Sequence, residues 1–189
     1  MERISWDEYF SKIIQVTSER SPCQRLKVGC LLVKDNRIVI QGFGNVGRHL
    51  AYELYNRDNA KIIAIGEYNG ILYNEKGINI NKLIECVLFK KTIENNELGK
   101  FTKNSKGIVE VECDILVPAA LEGVINKDNV EKVKTKLIVE AANGPIDPVS
   151  DTILFNKGVT VLPDIYVNAG GVVVSYFEWV KNLSHIRFG

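Results

Sequence analysis

The sequence predicts an α/β fold: a doubly wound, mostly parallel sheet with helices on both faces, carrying an N-terminal helix and hairpin as an appendage. Two observations lead to this prediction. Short β-branched runs alternate with helical patterns from residue 38 onward. The first of these runs ends in a glycine-rich turn that opens a helix.

The N-terminal part is predicted to be separate from the main domain, with residues 1–37 forming a fragment and residues 38–189 the domain itself. A capping box followed by a helical apolar stripe predicts a helix over residues 5–20. A strand over residues 27–33 and a polar turn then lead into the strand that begins the domain.

That strand runs into a G-x-G-x-x-G sequence at residues 42–47. Gly42 permits the tight turn, Gly44 lets a pyrophosphate approach the backbone, and Gly47 lets the helix pack closely on the strand. Glu67 ends the next apolar run, 20 residues past Gly47, where an acid would meet the hydroxyls of an adenosine ribose. The order of strand, helix, strand and acid favours a Rossmann-like fold over a glycine-rich turn in another α/β domain.

Later elements follow the same alternation. A small hairpin is predicted over residues 71–78 and a polar loop over residues 95–106, with a helical stripe at 80–88 between them. Further predicted elements are strands at 115–117, 137–139 and 159–162, a helix after Asp147 that ends at Lys157 and Gly158, and a last helix that begins near Asn168. In an open parallel sheet the ligand lies beyond the carboxyl ends of such strands.

Residues 1–40 resemble the start of a deoxycytidylate deaminase, notably RISWDEYF at 3–10 and VGCLLVKDNRI at 28–38. That family implies a zinc site with H-x-E and P-C-x-x-C motifs, neither of which occurs here, so no metal site is predicted. The resemblance would pair the strand near 28–34 with the strand that a parallel sheet needs at its centre. Because a strand has only two edges, we predict that the hairpin is displaced or pairs only at its turn end.

From about residue 39 to the C-terminus the chain resembles the nucleotide-binding domain of glutamate dehydrogenase, of the animal type, within the Glu/Leu/Phe/Val dehydrogenase family. The motifs that carry the resemblance are QGFGNVG at 41–47, AIGEYNG at 64–70, CDILVPAA at 113–120, EAANGP at 140–145 and NAGGVVVSYFEW at 168–179.

The resemblance implies NAD or NADP as cofactor and assigns its binding residues. The glycine-rich turn would hold the pyrophosphate through Gly42, Phe43, Gly44, Asn45, Val46 and Gly47, and Glu67 would hold the adenosine ribose. Ala119, Ala120, Asn143 and Asn168 would lie along the nicotinamide half, although Asn143 could also be a simple turn former before Gly-Pro. Glu67 should repel a 2′-phosphate, which favours NAD, but animal-type members use both cofactors.

The resemblance also implies that Val172 and Ser175 contact the glutamate side chain, with an ordinary helix serine as the alternative for Ser175. The family's catalytic lysine and aspartate belong to a substrate domain that we do not find in this sequence, so no catalytic residue is assigned. Three interpretations remain: a cofactor-binding module that is inactive alone, an enzyme that needs a complementing chain, and a non-functional or regulatory fusion of two gene fragments.

Composition limits the partners. The 189 residues carry a net charge of +1 without a basic block, which argues against a nucleic-acid partner, and no apolar run predicts a membrane span. The predicted partners are a nicotinamide dinucleotide and, with a complementing chain, glutamate or 2-oxoglutarate; the family's hexamers make a homo-oligomer plausible. Four cysteines without a C-x-x-C pair and the absence of a visible transit peptide predict an intracellular protein, cytoplasmic rather than mitochondrial.

Overall fold

A computed structural model describes residues 37–58 and 60–184. The predicted N-terminal helix, the strand at 27–33 and the hairpin resembling that of a deaminase lie outside these residues, and the predicted domain boundary at 37/38 stays a prediction.

The described strands form one seven-stranded sheet. In chain order they are β1 (Arg37–Gln41), β2 (Lys61–Glu67), β3 (Gly70–Tyr73), β4 (Lys100–Thr102), β5 (Ile115–Pro118), β6 (Leu137–Val139) and β7 (Thr160–Leu162). Across the sheet the order is β4-β3-β2-β1-β5-β6-β7, and all pairs are parallel except β2–β3 and β3–β4. The predicted doubly wound, mostly parallel sheet is therefore confirmed.

Five α-helices are described. They are α1 (Asn45–Arg57), α2 (Ile80–Lys90), α3 (Pro148–Asn156), the single turn α4 (Asp164–Val167) and α5 (Ala169–Ser184). Two 3-10 helices, Ser105–Glu110 and Val130–Lys132, connect strands on one face of the sheet. Helix α3 starts as the sequence predicts, because Asp147 accepts a hydrogen bond from the Ser150 N–H and Pro148 occupies the first turn.

The core lies on both faces of the central strands, whose residues are almost entirely inaccessible to solvent. On one face Val39, Leu116 and Ile138 pack with Ile108 of the first 3-10 helix and Leu154 of α3. Helix α1 packs on β1 and β2 through two small buried residues, Gly47 and Ala51. Burial of these β-branched strands on both faces is what a parallel sheet requires.

The centre of the sheet decides where a ligand can lie. Strand β1 pairs with β2 on one edge and with β5 on the other, both in parallel, so the strand order reverses at β1. The crevice between loops that leave a sheet in opposite directions is the usual binding place in such folds. Both edges of β1 are thus used within the described sheet, whereas the predicted pairing of residues 28–34 falls outside the described residues.

The hairpin predicted over residues 71–78 was wrong. The chain instead reverses direction at Tyr68 and Asn69, directly after β2, and β3 pairs antiparallel with β2. Gly70, the first residue of β3, takes a φ of +154°. Its other edge pairs with β4, inside the segment predicted to be a loop. Ile78 belongs to no strand, although its N–H donates to the Ile62 carbonyl and its side chain is buried.

Candidate cofactor site

The turn between β1 and α1 is held by tight packing around its first and third glycines. Gly42 has a φ of +99°, and a Cβ on it would lie 2.7 Å from the Ala120 Cβ. A Cβ on Gly47 would lie 2.0 Å from the Gly42 carbonyl oxygen, so only glycine lets α1 approach the strand this closely. Both glycines therefore shape the turn, as predicted from their spacing.

Gly44 differs from these two, since a Cβ on it would meet no heavy atom within 4 Å. Its backbone, with φ −71° and ψ −158°, is extended and open to any residue. Glycine is therefore not required here by the protein's own packing. Its lack of a side chain instead keeps clear the space in front of the helix N-terminus.

That N-terminus has no cap of its own. Gly44 occupies the N-cap position without a side-chain hydrogen bond, and the first turn carries no acidic residue. Helices α2 and α3, by contrast, are capped by the side chains of Asn79 and Asp147. The first N–H groups of a helix lack intrahelical partners and carry a partial positive charge, so an uncapped N-terminus in a crevice suits an anion such as a phosphate.

Glu67 lies beside this turn at the carboxyl end of β2. Its carboxylate accepts a hydrogen bond from the Phe43 N–H, and the Tyr68 N–H lies 3.4 Å from the other oxygen. A carboxylate has about four acceptor positions, so capacity remains for ribose hydroxyls. The Phe43 N–H is thus used within the protein, which leaves the helix N–H groups of Asn45 and Val46 as the better phosphate donors of the predicted set.

A cleft of about 1010 Å³ opens over this end of the sheet. Of the predicted cofactor residues, Gly42, Gly44, Asn45, Val46, Glu67, Ala119 and Ala120 line it. Phe43 and Gly47 are buried behind the turn. The structure therefore brings the predicted pyrophosphate, ribose and alanine positions into one cavity.

The opposite wall of the cleft was not predicted. It consists of the first 3-10 helix with its preceding residues, 104–108, and of a segment that includes Val124, Asn126 and Lys132. Ile108 packs so closely on β2 that a Cβ on Gly66 would lie 2.6 Å from its side chain. This wall has no local sequence motif, and its position depends on tertiary contacts of the first 3-10 helix with β1, β2 and β3, which the sequence does not show.

Gln41 also lines the cleft and was missed as a site residue. Its Oε1 atom is buried and has no hydrogen-bond partner among the described residues. A buried acceptor of this kind normally finds a donor in the protein, in water or in a ligand. Gln41 is the last residue of β1, directly before the glycine-rich turn. That position is the sequence feature from which its place in the site could have been predicted.

Asn143 and Asn168 do not line this cleft but meet each other beside it. Asn143 follows β6 and Asn168 follows α4, and the Asn168 Nδ2 atom lies 2.6 Å from the Asn143 Oδ1 atom. Both lie on the β5 side of the point where the strand order reverses, whereas Glu67 lies on the β2 side. Of the residues predicted for the nicotinamide half, Ala119 and Ala120 thus share the cleft with Glu67, whereas Asn143 and Asn168 lie beside it.

The two predicted substrate residues lie on α5. Val172 is 71% exposed, and the Ser175 hydroxyl donates to the Gly171 carbonyl within the helix. That bond is the common one for a helical serine. The described residues bring no further polar group to this pair, so a substrate role for Val172 and Ser175 stays a prediction.

The described residues offer neither a metal-binding cluster nor a membrane-spanning helix. Among residues 37–58 and 60–184, His, Cys, Asp and Glu side chains form no group of three that could hold a metal ion. Within the same residues, no helix is both long and apolar enough to cross a membrane. The free thiols of Cys86 and Cys113 are buried, and burial raises the pKa of Cys113 to about 11.

Comparison with known proteins identifies the class to which this fold and site belong. A model of the Glutamate/Leucine/Phenylalanine/Valine dehydrogenase family matches residues 23–188, and the chain therefore belongs to that family. Dehydrogenases of this family use nicotinamide dinucleotide cofactors.

Among particular relatives, the mitochondrial glutamate dehydrogenase of Dictyostelium discoideum is 49% identical over 157 residues, covering 83% of this chain and 31% of the relative. The NADP-specific glutamate dehydrogenase of Saccharolobus shibatae is 46% identical over 152 residues, covering 80% of this chain and 36% of the relative. The chain thus spans about a third of the length of the curated relatives it matches.

Solved structures of glutamate dehydrogenases are similar to this one. The glutamate dehydrogenase of Peptoniphilus asaccharolyticus aligns with a TM-score of 0.65 and 33% identity, covering 94% of this chain and 38% of that one. The hetero-hexameric glutamate dehydrogenase of Thermus thermophilus aligns with a TM-score of 0.74 and 25% identity, covering 94% of this chain and 39% of that one.

These matches bear on the N-terminal prediction. The family match begins at residue 23, inside the segment whose sequence resembles a deoxycytidylate deaminase. The comparisons give no support to a deaminase fragment, and the share of the chain that belongs to the dehydrogenase family is larger than the sequence motifs indicated.

Proposed function

We propose that this chain binds a nicotinamide dinucleotide as the cofactor module of a glutamate dehydrogenase-type oxidoreductase. The observation that carries the proposal is the uncapped N-terminus of α1, which faces a cleft beside the Glu67 carboxylate at the point where the strand order reverses. This arrangement offers N–H donors to a pyrophosphate and a carboxylate to a ribose.

NAD is the cofactor that the site favours over NADP. Glu67 carries a negative charge where a 2′-phosphate would lie, and its carboxylate is oriented by the Phe43 N–H. Repulsion between these two negative charges lowers the affinity for the phosphorylated cofactor. The NADP-specific relative from Saccharolobus shibatae shows that sequence similarity alone does not decide the choice.

Catalysis is proposed to need a substrate domain in addition to this cofactor module. The relatives convert glutamate, as their names state, and are about three times as long as the matched segment. No side chain along the described cleft is assigned to proton transfer at a glutamate α-carbon. Oxidation of glutamate to 2-oxoglutarate and ammonia would then require a substrate domain in the same assembly. Within this chain, Val172 and Ser175 are the candidate contacts with the substrate.

A cytoplasmic location is also proposed.

The experiment is a fluorescence titration of the purified chain with NADH, alongside its Gly44→Val and Gly44→Ala variants. We expect saturable binding in the parent, a partial loss with alanine and a complete loss with valine, because added carbons fill the space in front of the helix N-terminus. All three proteins should unfold at similar denaturant concentrations, since a Cβ at Gly44 meets nothing. A folded parent that does not bind NADH would contradict the proposal.

A further inference from the structure

Two loops on the β5 side of the sheet are joined by an aspartate. Asp164, the first residue of α4, accepts a hydrogen bond from the Gly144 N–H at 2.8 Å through Oδ2. Its Oδ1 atom accepts from the Ile165 N–H at 2.5 Å. One carboxylate therefore links the loop after β6 to the loop after β7, immediately beside the contact between Asn143 and Asn168.

A second carboxylate lies beneath the first. Glu140 is buried, with 8% of its surface exposed, and its Oε2 atom accepts a hydrogen bond from the Asp164 N–H at 2.9 Å. The Glu140 N–H in turn donates to the Leu162 carbonyl at 3.0 Å. Among the described residues Glu140 forms no ion pair with a cationic group, and burial of such a carboxylate is costly, so a role beyond packing would account for its place here.

Apart from a few hydrogen bonds, the loop that carries Asn143 lies in open surroundings. Gly144 is exposed, has a φ of +50°, and a Cβ on it would meet nothing within 4 Å. Its carbonyl accepts from the Gly123 N–H, and its N–H is held by Asp164. The exposed Asn143 amide therefore accepts a hydrogen bond from the Asn168 amide, and Asp164 holds the backbone of the residue that follows it.

We propose that Asp164, itself held by Glu140, is a positioning residue for the nicotinamide half of the bound dinucleotide. It acts by fixing the backbone of Gly144, which places the Asn143 and Asn168 amides together at the end of β6 and β7. Amide groups offer both a donor and an acceptor, which is what a carboxamide or a ribose hydroxyl needs. The inference rests on the proposed function, because it requires a dinucleotide across the crevice.

The test compares NADH with ADP, which has the adenosine half only, on the full 189-residue chain. In Asp164→Ala we expect the Kd for NADH to rise about tenfold and the Kd for ADP to stay unchanged, since two orienting hydrogen bonds are lost on one half of the site. At saturation, the emission of NADH bound to this variant should resemble that of free NADH, because the dihydronicotinamide ring is no longer held.

Two further variants separate positioning from folding. Asp151→Ala removes an exposed aspartate from the first turn of α3 and should leave both affinities and the bound emission spectrum unchanged. Glu140→Gln keeps an acceptor for the Asp164 N–H and should retain NADH binding, whereas Glu140→Ala should weaken it with ADP unaffected.

The outcomes are distinct. Weaker NADH binding with normal ADP binding in Asp164→Ala supports the proposal. Equal loss of both ligands in that variant, or no loss of either, overturns the positioning role while the cofactor function stands. A folded parent that binds neither ligand overturns the proposed function itself, and the positioning role with it.

Discussion

At the scale of single residues, Glu67 joins two parts of the predicted site through one hydrogen bond. Its carboxylate accepts from the Phe43 N–H in the glycine-rich turn, so the end of β2 and the start of the turn are held in a fixed relation. The same carboxylate lies where an adenosine ribose would present its hydroxyls. Orientation of the turn and choice of cofactor therefore depend on the same side chain.

Replacing Glu67 with glutamine tests the second role without disturbing the first. Glutamine can still accept from the Phe43 N–H but carries no charge, so we expect the preference for NADH over NADPH to fall by about tenfold. The measurement is a pair of fluorescence titrations with the two reduced cofactors. Glu97→Gln, a change at an exposed glutamate away from the cleft, should leave the preference as it is. An unaltered preference in Glu67→Gln would contradict the electrostatic argument.

Because of the buried carboxyl group of Glu140, we expect the stability of the protein to depend on pH. Burial raises the pKa of Glu140, and the charge of Asp164 raises it further. The native state therefore holds the proton more tightly than the unfolded state. The contribution of Glu140 to stability is full below its ordinary pKa of 4.5 and is lost as the pH rises through the higher native value.

The variant Glu140→Gln should escape this loss because it is neutral at every pH. The difference in unfolding free energy, variant minus parent, should therefore increase between about pH 4 and about pH 7. Urea denaturation at the two pH values measures it. If the difference stayed constant, Glu140 would have the same pKa in the folded and unfolded chains.

At the scale of elements, a lysine at the end of α3 holds the second 3-10 helix. The Lys157 ammonium donates to the carbonyls of Val130, Glu131 and Val133, at 3.1, 2.8 and 3.2 Å. These are carbonyls at the end of a helical turn, which lack partners in the turn itself. The contact joins α3 to the segment that forms one wall of the cleft.

Lys157→Met keeps most of the side-chain stem and removes all three bonds. We expect a loss of about 1 kcal/mol of unfolding free energy, because the group is partly open to water. Guanidinium denaturation measures the change, with Lys127→Met as the matched control; Lys127 is also exposed, and its ammonium makes no hydrogen bond or ion pair within residues 37–58 and 60–184. A control that lost as much as Lys157→Met would show that the bonds contribute nothing.

Elements with a strong local signal could be predicted from the sequence. Helix α3 has an N-cap aspartate, a proline in its first turn and a glycine after its end, and it was located to within a residue or two. Strand β4 could not be found, because its three residues are polar apart from Phe101 and only pairing with β3 makes them a strand. Helix α4 is a single turn with no capping side chain, so it too has no local signal.

The residues of the site likewise divide into those that a local sequence pattern predicts and those that it does not. The glycine-rich turn and Glu67 were predictable because their spacing follows from backbone geometry, and the structure places them in one cleft. The wall formed by residues 104–108 and the carboxylates Glu140 and Asp164 depend on contacts between distant segments. In the sequence Glu140 is only the first residue of the EAANGP motif, since no local pattern indicates a buried acid.

At the scale of the whole molecule, α5 stands out as an apolar helix in contact with water. Its exposed residues include Val172 at 71%, Phe177 at 55% and Trp179 at 58%, and within the described residues it packs mainly on α4. A helix that is apolar on all sides is normally buried. In relatives about three times as long, additional chain is available to cover such a surface.

This surface should make the isolated chain associate. We expect strong binding of the dye ANS and a sedimentation coefficient that rises with concentration, both reduced in the double variant Phe177→Lys and Trp179→Lys. Phe155→Lys, at a residue on α3 that is 79% exposed, is the control and should change neither measurement. Dye binding that is the same in all three proteins would place the apolar surface elsewhere.

The reversal of strand order at β1 also affects the order in which the protein folds. Phe43 and Glu67, on the β1–β2 side, are 24 residues apart, whereas Arg37 and Asp114, at the start of the β1–β5 pairing, are 77 apart. Closing the longer loop costs about 1 kcal/mol more chain entropy, so the β1–β5 contact should form after the β1–β2–β3 unit. The cleft is complete only after that late step. A dinucleotide that spans the cleft should therefore act chiefly by slowing unfolding, with little effect on the rate of folding.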